Sequence, residues 1–155
     1  MLETGSTAPR MVLEDTTGQT VRISDYQGKH PVLLYFMRSA SCPVCNRHVH
    51  DLVNSGDGLE AANVRVLLAV PDDREQAAAW KAKRQIPFPV LTARRGTPHE
   101  MIGLSRKIFG SMQQSGSLLI DTHGVIRHAH GATIPTNAYD RKGITAAIAS
   151  LRAPA

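Results

Sequence analysis

Pro31-Val32-Leu33-Leu34-Tyr35-Phe36-Met37 runs from end to end without a charged or amide side chain. A strand with one face in water alternates apolar and polar residues; an unbroken apolar run of this length reads as a strand covered on both faces. The chain then continues as Arg38-Ser39-Ala40-Ser41-Cys42-Pro43-Val44-Cys45-Asn46-Arg47-His48. Pro43 suits the first turn of a helix, where its missing N–H costs nothing. A buried strand passing through a short turn into a helix belongs to a layered α/β domain, and the rest of the chain has to fit that frame.

It does. After the cysteines, Val49, Leu52 and Val53 keep a helical spacing until the breaker Asn54-Ser55-Gly56-Asp57-Gly58. Val64 to Val70 is a second buried strand, and Pro71-Asp72-Asp73 caps a helix of strong formers from Arg74 to Gln85. Pro87 to Leu91 reads as a short extended piece, followed by a helix from about Pro98 to Phe109 closed by Gly110. Ser117 to Asp121 and Val125 to Ala129 flank Thr122-His123-Gly124 as an antiparallel hairpin. A last helix, about Asp140 to Leu151, puts Ile144, Ile148 and Leu151 on one face. At the start, Ala8 to Asp15 and Thr20 to Ile23 flank a Thr-Gly turn as another hairpin, and Ser24-Asp25-Tyr26 offers a cap to a short turn ending at Gly28. The expectation is one α/β domain over residues 1–155: a central, mostly parallel sheet with an antiparallel edge hairpin, helices on both faces and an N-terminal β-hairpin extension. This order suits the thioredoxin fold.

Bulk properties narrow the function. The 155 residues suffice for one domain with a substantial core. The net charge of +5 invites a nucleic-acid reading, but the basic residues are spread out and aromatics are only 5%, too few for a base-stacking platform. No apolar run approaches the roughly 18 residues of a membrane span, and the first residues lack a secretory pattern. A cytoplasmic protein without nucleic-acid or membrane partners is expected.

Cys42 and Cys45 are the only cysteines. The loop between them is too short to staple a fold. A cysteine at a helix N-terminus faces unpaired backbone N–H groups and the positive end of the dipole, which stabilise a thiolate. Cys45 falls one turn later on the same face, within reach of a disulfide. The reading is a more exposed and more acidic attacking thiol at Cys42 and a more buried resolving thiol at Cys45, with Arg38 and Arg47 adding positive charge. Two alternatives stand beside it: inert core cysteines, and a metal site using Cys42, Cys45 and His48. The latter has no second cysteine pair, and His48 and His50 point apart on a helix. No cofactor or resident metal is expected.

With these residues in view, the chain resembles the peroxiredoxin-like (alkyl hydroperoxide reductase/thiol-specific antioxidant) branch of the thioredoxin superfamily. The similarity lies in Gly5-Ser6-Thr7-Ala8-Pro9, Leu13-Glu14-Asp15, Val21 to Lys29, Phe36-Met37-Arg38 followed by Cys42-Pro43-Val44-Cys45, and Leu118 to Arg127. It implies that Cys42 is the peroxidatic cysteine and Cys45 the resolving one. Ser39 stands where relatives place a Thr or Ser that hydrogen-bonds peroxide, and Arg38 where a subgroup carries an arginine four before the cysteine. It also implies a hydroperoxide substrate, an external thiol reductant such as a thioredoxin-like protein, and a homodimer. Three places depart from the pattern: Tyr35 replaces a proline seven before the cysteine, Ser115 replaces the arginine six before Asp121, and Ser39-Ala40-Ser41 stands where the subgroup carries Gly-Gly-Trp. The second departure keeps open a general thiol–disulfide oxidoreductase acting on disulfides; a redox sensor is a third reading.

Overall fold

β3 (Val32–Phe36) is the middle strand of a five-stranded sheet. The structure, a computed structural model, describes residues 3–55, 59–60, 62–104, 115–132 and 141–151. β3 pairs in parallel with β4 (Arg65–Ala69), and β4 in parallel with the short β5 (Val90–Leu91). On its other side β3 pairs antiparallel with β6 (Ser115–Ile120), and β6 with β7 (Ile126–Ala132), giving the order β5-β4-β3-β6-β7. A separate hairpin joins β1 (Val12–Glu14) to β2 (Thr20–Arg22), and Glu14 bridges to Thr92 just past β5.

The helix after the cysteines is α1 (Pro43–Asn54). α2 (Arg74–Arg84) opens with a capping box: Asp73 accepts from the Gln76 amide at 2.8 Å while the Gln76 side chain accepts from the Asp73 amide. α3 (Arg141–Leu151) closes the described chain.

Several expectations need correction. The antiparallel hairpin β6–β7 forms one edge of the sheet as expected, but with two parallel and two antiparallel strand pairs the sheet is evenly mixed rather than mostly parallel. The helix expected from Pro98 is a 3-10 helix over Pro98–Ile102 ending at Gly103, where the Leu104 amide turns back to the His99 carbonyl; Phe109 and Gly110 lie outside the described residues. Ser24 does not cap the turn after β2. A 3-10 helix starts one residue earlier, at Ile23, whose burial draws it in, and its capping position is Arg22, without a side-chain bond.

Alternation along β3 sends its residues into two separate cores. Leu33 and Tyr35, with Met37 beyond, join Val49 and Leu52 of α1, Ala77 and Trp80 of α2 and Ile144 of α3. Val32, Leu34 and Phe36 join Met11, Leu13 and Ile23 from the N-terminal hairpin region and Ile102 and Leu104. The described α-helices thus lie on one face, and the hairpin and 3-10 helices cover the other. The Asp121 turn between β6 and β7 forms because its Oδ1 accepts from the His123 and Val125 amides, with Gly124 supplying a φ of +79°.

Candidate active site

The segment from Met37 to Cys42 has no secondary structure of its own, so side chains must satisfy its backbone. The Met37 amide continues the sheet to Ala69, and its carbonyl accepts from His99 Nε2 at 2.6 Å. Asp72, just past β4, accepts from the Ala40 amide at 2.8 Å. Asn46 in α1 donates through Nδ2 to both the Ala40 and Cys42 carbonyls, each at 2.8 Å. Its Oδ1 accepts from Trp80 Nε1 of α2, also at 2.8 Å. Asp72, Asn46, Trp80 and His99 therefore fix the turn from three directions.

That turn delivers Cys42 to the N-cap of α1, with Pro43 in the first turn and Cys42 Sγ accepting from the Cys45 amide at 3.3 Å. Ser, Thr, Asp or Asn is the usual N-cap because an oxygen accepts well there; a sulfur in that place receives the same N–H and helix-end field. Both cysteines are free thiols, brought close in one cluster. Cys42 is the more exposed of the two, at 6% against 0% for Cys45, though Met37, Ala40 and Val49 pack into the same cluster and leave both thiols buried. The order of burial between the two is as the sequence suggests.

Burial pushes the Cys45 thiol up to about 11, and its hydrogen bond with Cys42 acts in the same direction. The Arg38 amide and the Tyr35 hydroxyl, both hydrogen-bonding to Cys45, oppose the shift. Arg38 and Ser39 sit half-buried at the start of the turn. The Ser39 hydroxyl lies 3.1 Å from that of Ser41, and its carbonyl accepts from the Cys42 amide at 3.3 Å.

The face of β3 chosen by Tyr35, which the apolar run leaves open, is the dithiol face. Its hydroxyl lies 2.9 Å from Nδ1 of His48, one turn beyond Cys45. Burial holds His48 below its ordinary value, helped by Arg47 and opposed by Asp51. Across the sheet Tyr35 stands opposite Ser117, and Ser117 opposite His130. Ser115 and Ser117 are fully buried, and neither hydroxyl has a hydrogen-bond partner among the described residues. Between them, a Cβ on Gly116 would overlap the His130 carbonyl. Among the described residues no three His, Cys, Asp or Glu side chains converge as metal ligands, and Nδ1 of His48 already faces Tyr35.

Asn46, Trp80, Asp72 and His99 are the residues that sequence reasoning missed. Asn46 had a usable signal, lying one turn after Cys42 on a helix whose first carbonyls need holding. Trp80, read as packing, does pack, but its indole N–H also has this specific partner.

Comparison with known proteins agrees with this geometry. The model of the AhpC/TSA family matches residues 4–129. The chain belongs to the AhpC/TSA family. Within that family, Peroxiredoxin Bcp of Escherichia coli strain K12 is 31% identical over 144 residues, 90% of this chain and 92% of that protein. Chloroplastic Peroxiredoxin Q of Triticum aestivum is 27% identical over 126 residues, 81% of this chain; the match spans only 58% of the wheat protein's length. Among solved structures, peroxidoxin BcpB from Mycobacterium tuberculosis superposes with a TM-score of 0.79 at 22% identity, covering 98% of this chain and 97% of that one. A putative protein disulfide isomerase from Bacteroides thetaiotaomicron gives 0.71 at 17% identity, covering 97% and 89%. The AhpC/TSA chain thus has the thioredoxin-like fold.

Proposed function

We propose that this AhpC/TSA protein is a thiol peroxidase that cycles Cys42 and Cys45 between dithiol and disulfide. Cys42 attacks the hydroperoxide, releasing water or an alcohol, and becomes a sulfenic acid. Cys45 then condenses with it, water leaves, and an external dithiol, such as a thioredoxin-like protein, reduces the disulfide. The observation that carries this reading is the seating of Cys42 at the start of α1, its sulfur accepting the Cys45 amide, in a chain of this family. Ser39 and Arg38 are the proposed polar lining of the peroxide approach, by their place in the turn. A cytoplasmic setting and a homodimer go with this reading as further proposals.

Ser115 favours a second reading. Where relatives hold an arginine, this chain has a small buried hydroxyl without a partner among the described residues. The substrate pocket then lacks that cation, which favours a general thiol–disulfide oxidoreductase acting on disulfides.

Hydrogen peroxide consumption by the reduced protein, with thiols counted before and after, separates the two. Stoichiometric consumption with loss of two thiols, abolished in Cys42→Ser, is the expected result. Thiol loss no faster than that of a free cysteine would overturn the peroxidase reading and leave disulfide exchange.

A further inference from the structure

A resolving thiol attacks as thiolate, and Cys45 is poorly placed to become one unaided. It is sealed from solvent, and with its titration pushed up to about 11, roughly one thiol in ten thousand is ionised at pH 7. What lies beside it is Tyr35, equally buried, whose hydroxyl hydrogen-bonds Cys45 and lies 2.9 Å from Nδ1 of His48. The Tyr35 and His48 rings meet edge-on, 6.0 Å apart at 61°. A phenol has one proton to donate and lone pairs to accept with, so Tyr35 can receive the Cys45 proton while passing its own to His48. His48, only half-buried, has a route to solvent that Cys45 lacks.

We propose that Tyr35 and His48 are a proton relay that ionises Cys45 for closure of the Cys42–Cys45 disulfide. The inference rests on the peroxidase reading only for the origin of the sulfenic acid. In the step, Cys45 S–H gives its proton to the Tyr35 oxygen as the Tyr35 proton moves to His48 Nδ1, His48 being the tautomer protonated at Nε2. The Cys45 thiolate attacks the sulfur of the Cys42 sulfenic acid. The S–S bond forms and the S–O bond breaks; Cys42 sulfur is reduced as Cys45 sulfur is oxidised. The departing hydroxide takes up one proton and leaves as water, and the imidazolium releases one proton to solvent.

The charged and titratable groups around His48 fit this role. Arg47 and burial keep the imidazole neutral near pH 7, ready to accept, while Asp51 steadies it once protonated. From β3 it meets Tyr35, and His130 stands further along the same sheet face, opposite Ser117. Tyr35 and His48 are positioning and proton-relay residues, distinct from the two sulfurs that react.

The two thiol steps can be timed separately with 5,5′-dithiobis(2-nitrobenzoic acid), without peroxide. Attack by Cys42 releases a first equivalent of thionitrobenzoate, and closure by Cys45 releases the second. In Tyr35→Phe, which preserves the ring, the second release is expected to slow at least ten-fold more than the first. His48→Gln should behave likewise. Wild-type closure should rise from acid to neutral pH with the titration of His48; in His48→Gln only the alkaline rise of the thiol itself should remain. Should Tyr35→Phe fail to fold, the half-exposed His48→Gln carries the same measurement. Unchanged closure in a folded variant, equal slowing of both steps, or an unchanged pH profile in His48→Gln would overturn the relay. If peroxide fails to oxidise wild-type Cys42 while closure responds as expected, the peroxidase reading falls and the relay stands.

Discussion

The two faces of β3 show how one apolar run can serve two purposes. Val32, Leu34 and Phe36 point into a core of mostly aliphatic side chains, with His99 edge-on against Phe36. Leu33 and Tyr35, with Met37 following, point into a core that also holds both thiols and, close by, Tyr35's hydroxyl, His48 and the buried serines of β6. The first face provides stability through area and packing density. The second adds polar groups whose cost of burial is offset only where each finds a partner, which makes its geometry strict. Chemistry and stability should therefore respond separately to substitutions on the two faces.

The largest expected effect is on the dithiol face. Cys42→Ser should abolish rapid peroxide-dependent thiol loss while leaving the melting temperature within a few degrees, as calorimetry alongside the peroxide assay would show. Leu34→Ala, on the aliphatic face and fully buried, should cost about 2–5 kcal/mol in chemical denaturation. It should leave the rate per folded molecule almost unaltered; a comparable loss of rate would break the separation.

His99 gives a pH test. Burial holds its titration at about 4, below the ordinary 6.5 of the unfolded chain, and its Nε2–H donates to Met37 as a neutral ring. Its contribution is complete above the unfolded value, declines below about pH 6.5 and is gone once pH falls through about 4. That window is worth on the order of 3 kcal/mol. Denaturation curves between pH 7 and pH 4 should flatten by this amount in His99→Phe relative to wild type.

Asn46→Ala should cost less stability, about 1–3 kcal/mol for the groups left unpaired, and slow Cys42 oxidation by roughly ten-fold through loosening of the turn. Trp80→Phe removes only one of those bonds and should show a weaker form of the same phenotype. The smallest effect belongs far from either face. The Arg94–Glu14 pair, with the arginine side chain 65% exposed, should be worth under about 1 kcal/mol to Arg94→Ala in denaturation.

The fold was largely legible because its strongest signals are local. The apolar runs at β3 and β4, the Asp73 cap and the Asp121 turn each act over a few residues. Where β6 docks was not legible, since local periodicity says a strand is buried but not which neighbour buries it. The candidate site was legible as a motif and not as an environment. Cys42 and Cys45 announce themselves by spacing, whereas Asp72, Trp80 and His99 reach their partners in and around the turn across 32 to 62 residues of chain. The choice of face by Tyr35 was hidden for the same reason: in a strand buried on both sides, neither side is marked.

The insertion of β6 beside β3 bears on the order in which the molecule is made. Synthesis runs from the N-terminus, so β3, β4, β5 and the three helical turns around Cys42 all emerge before the strand that completes them. Until residues 115–120 are available, one side of β3 is an open sheet edge offering unpaired N–H and C=O groups to any other chain. Cys42 and Cys45 therefore spend part of their biogenesis on an unfinished scaffold. A nascent chain arrested before β6 should be the form most open to intermolecular strand pairing and to oxidation by the wrong partner.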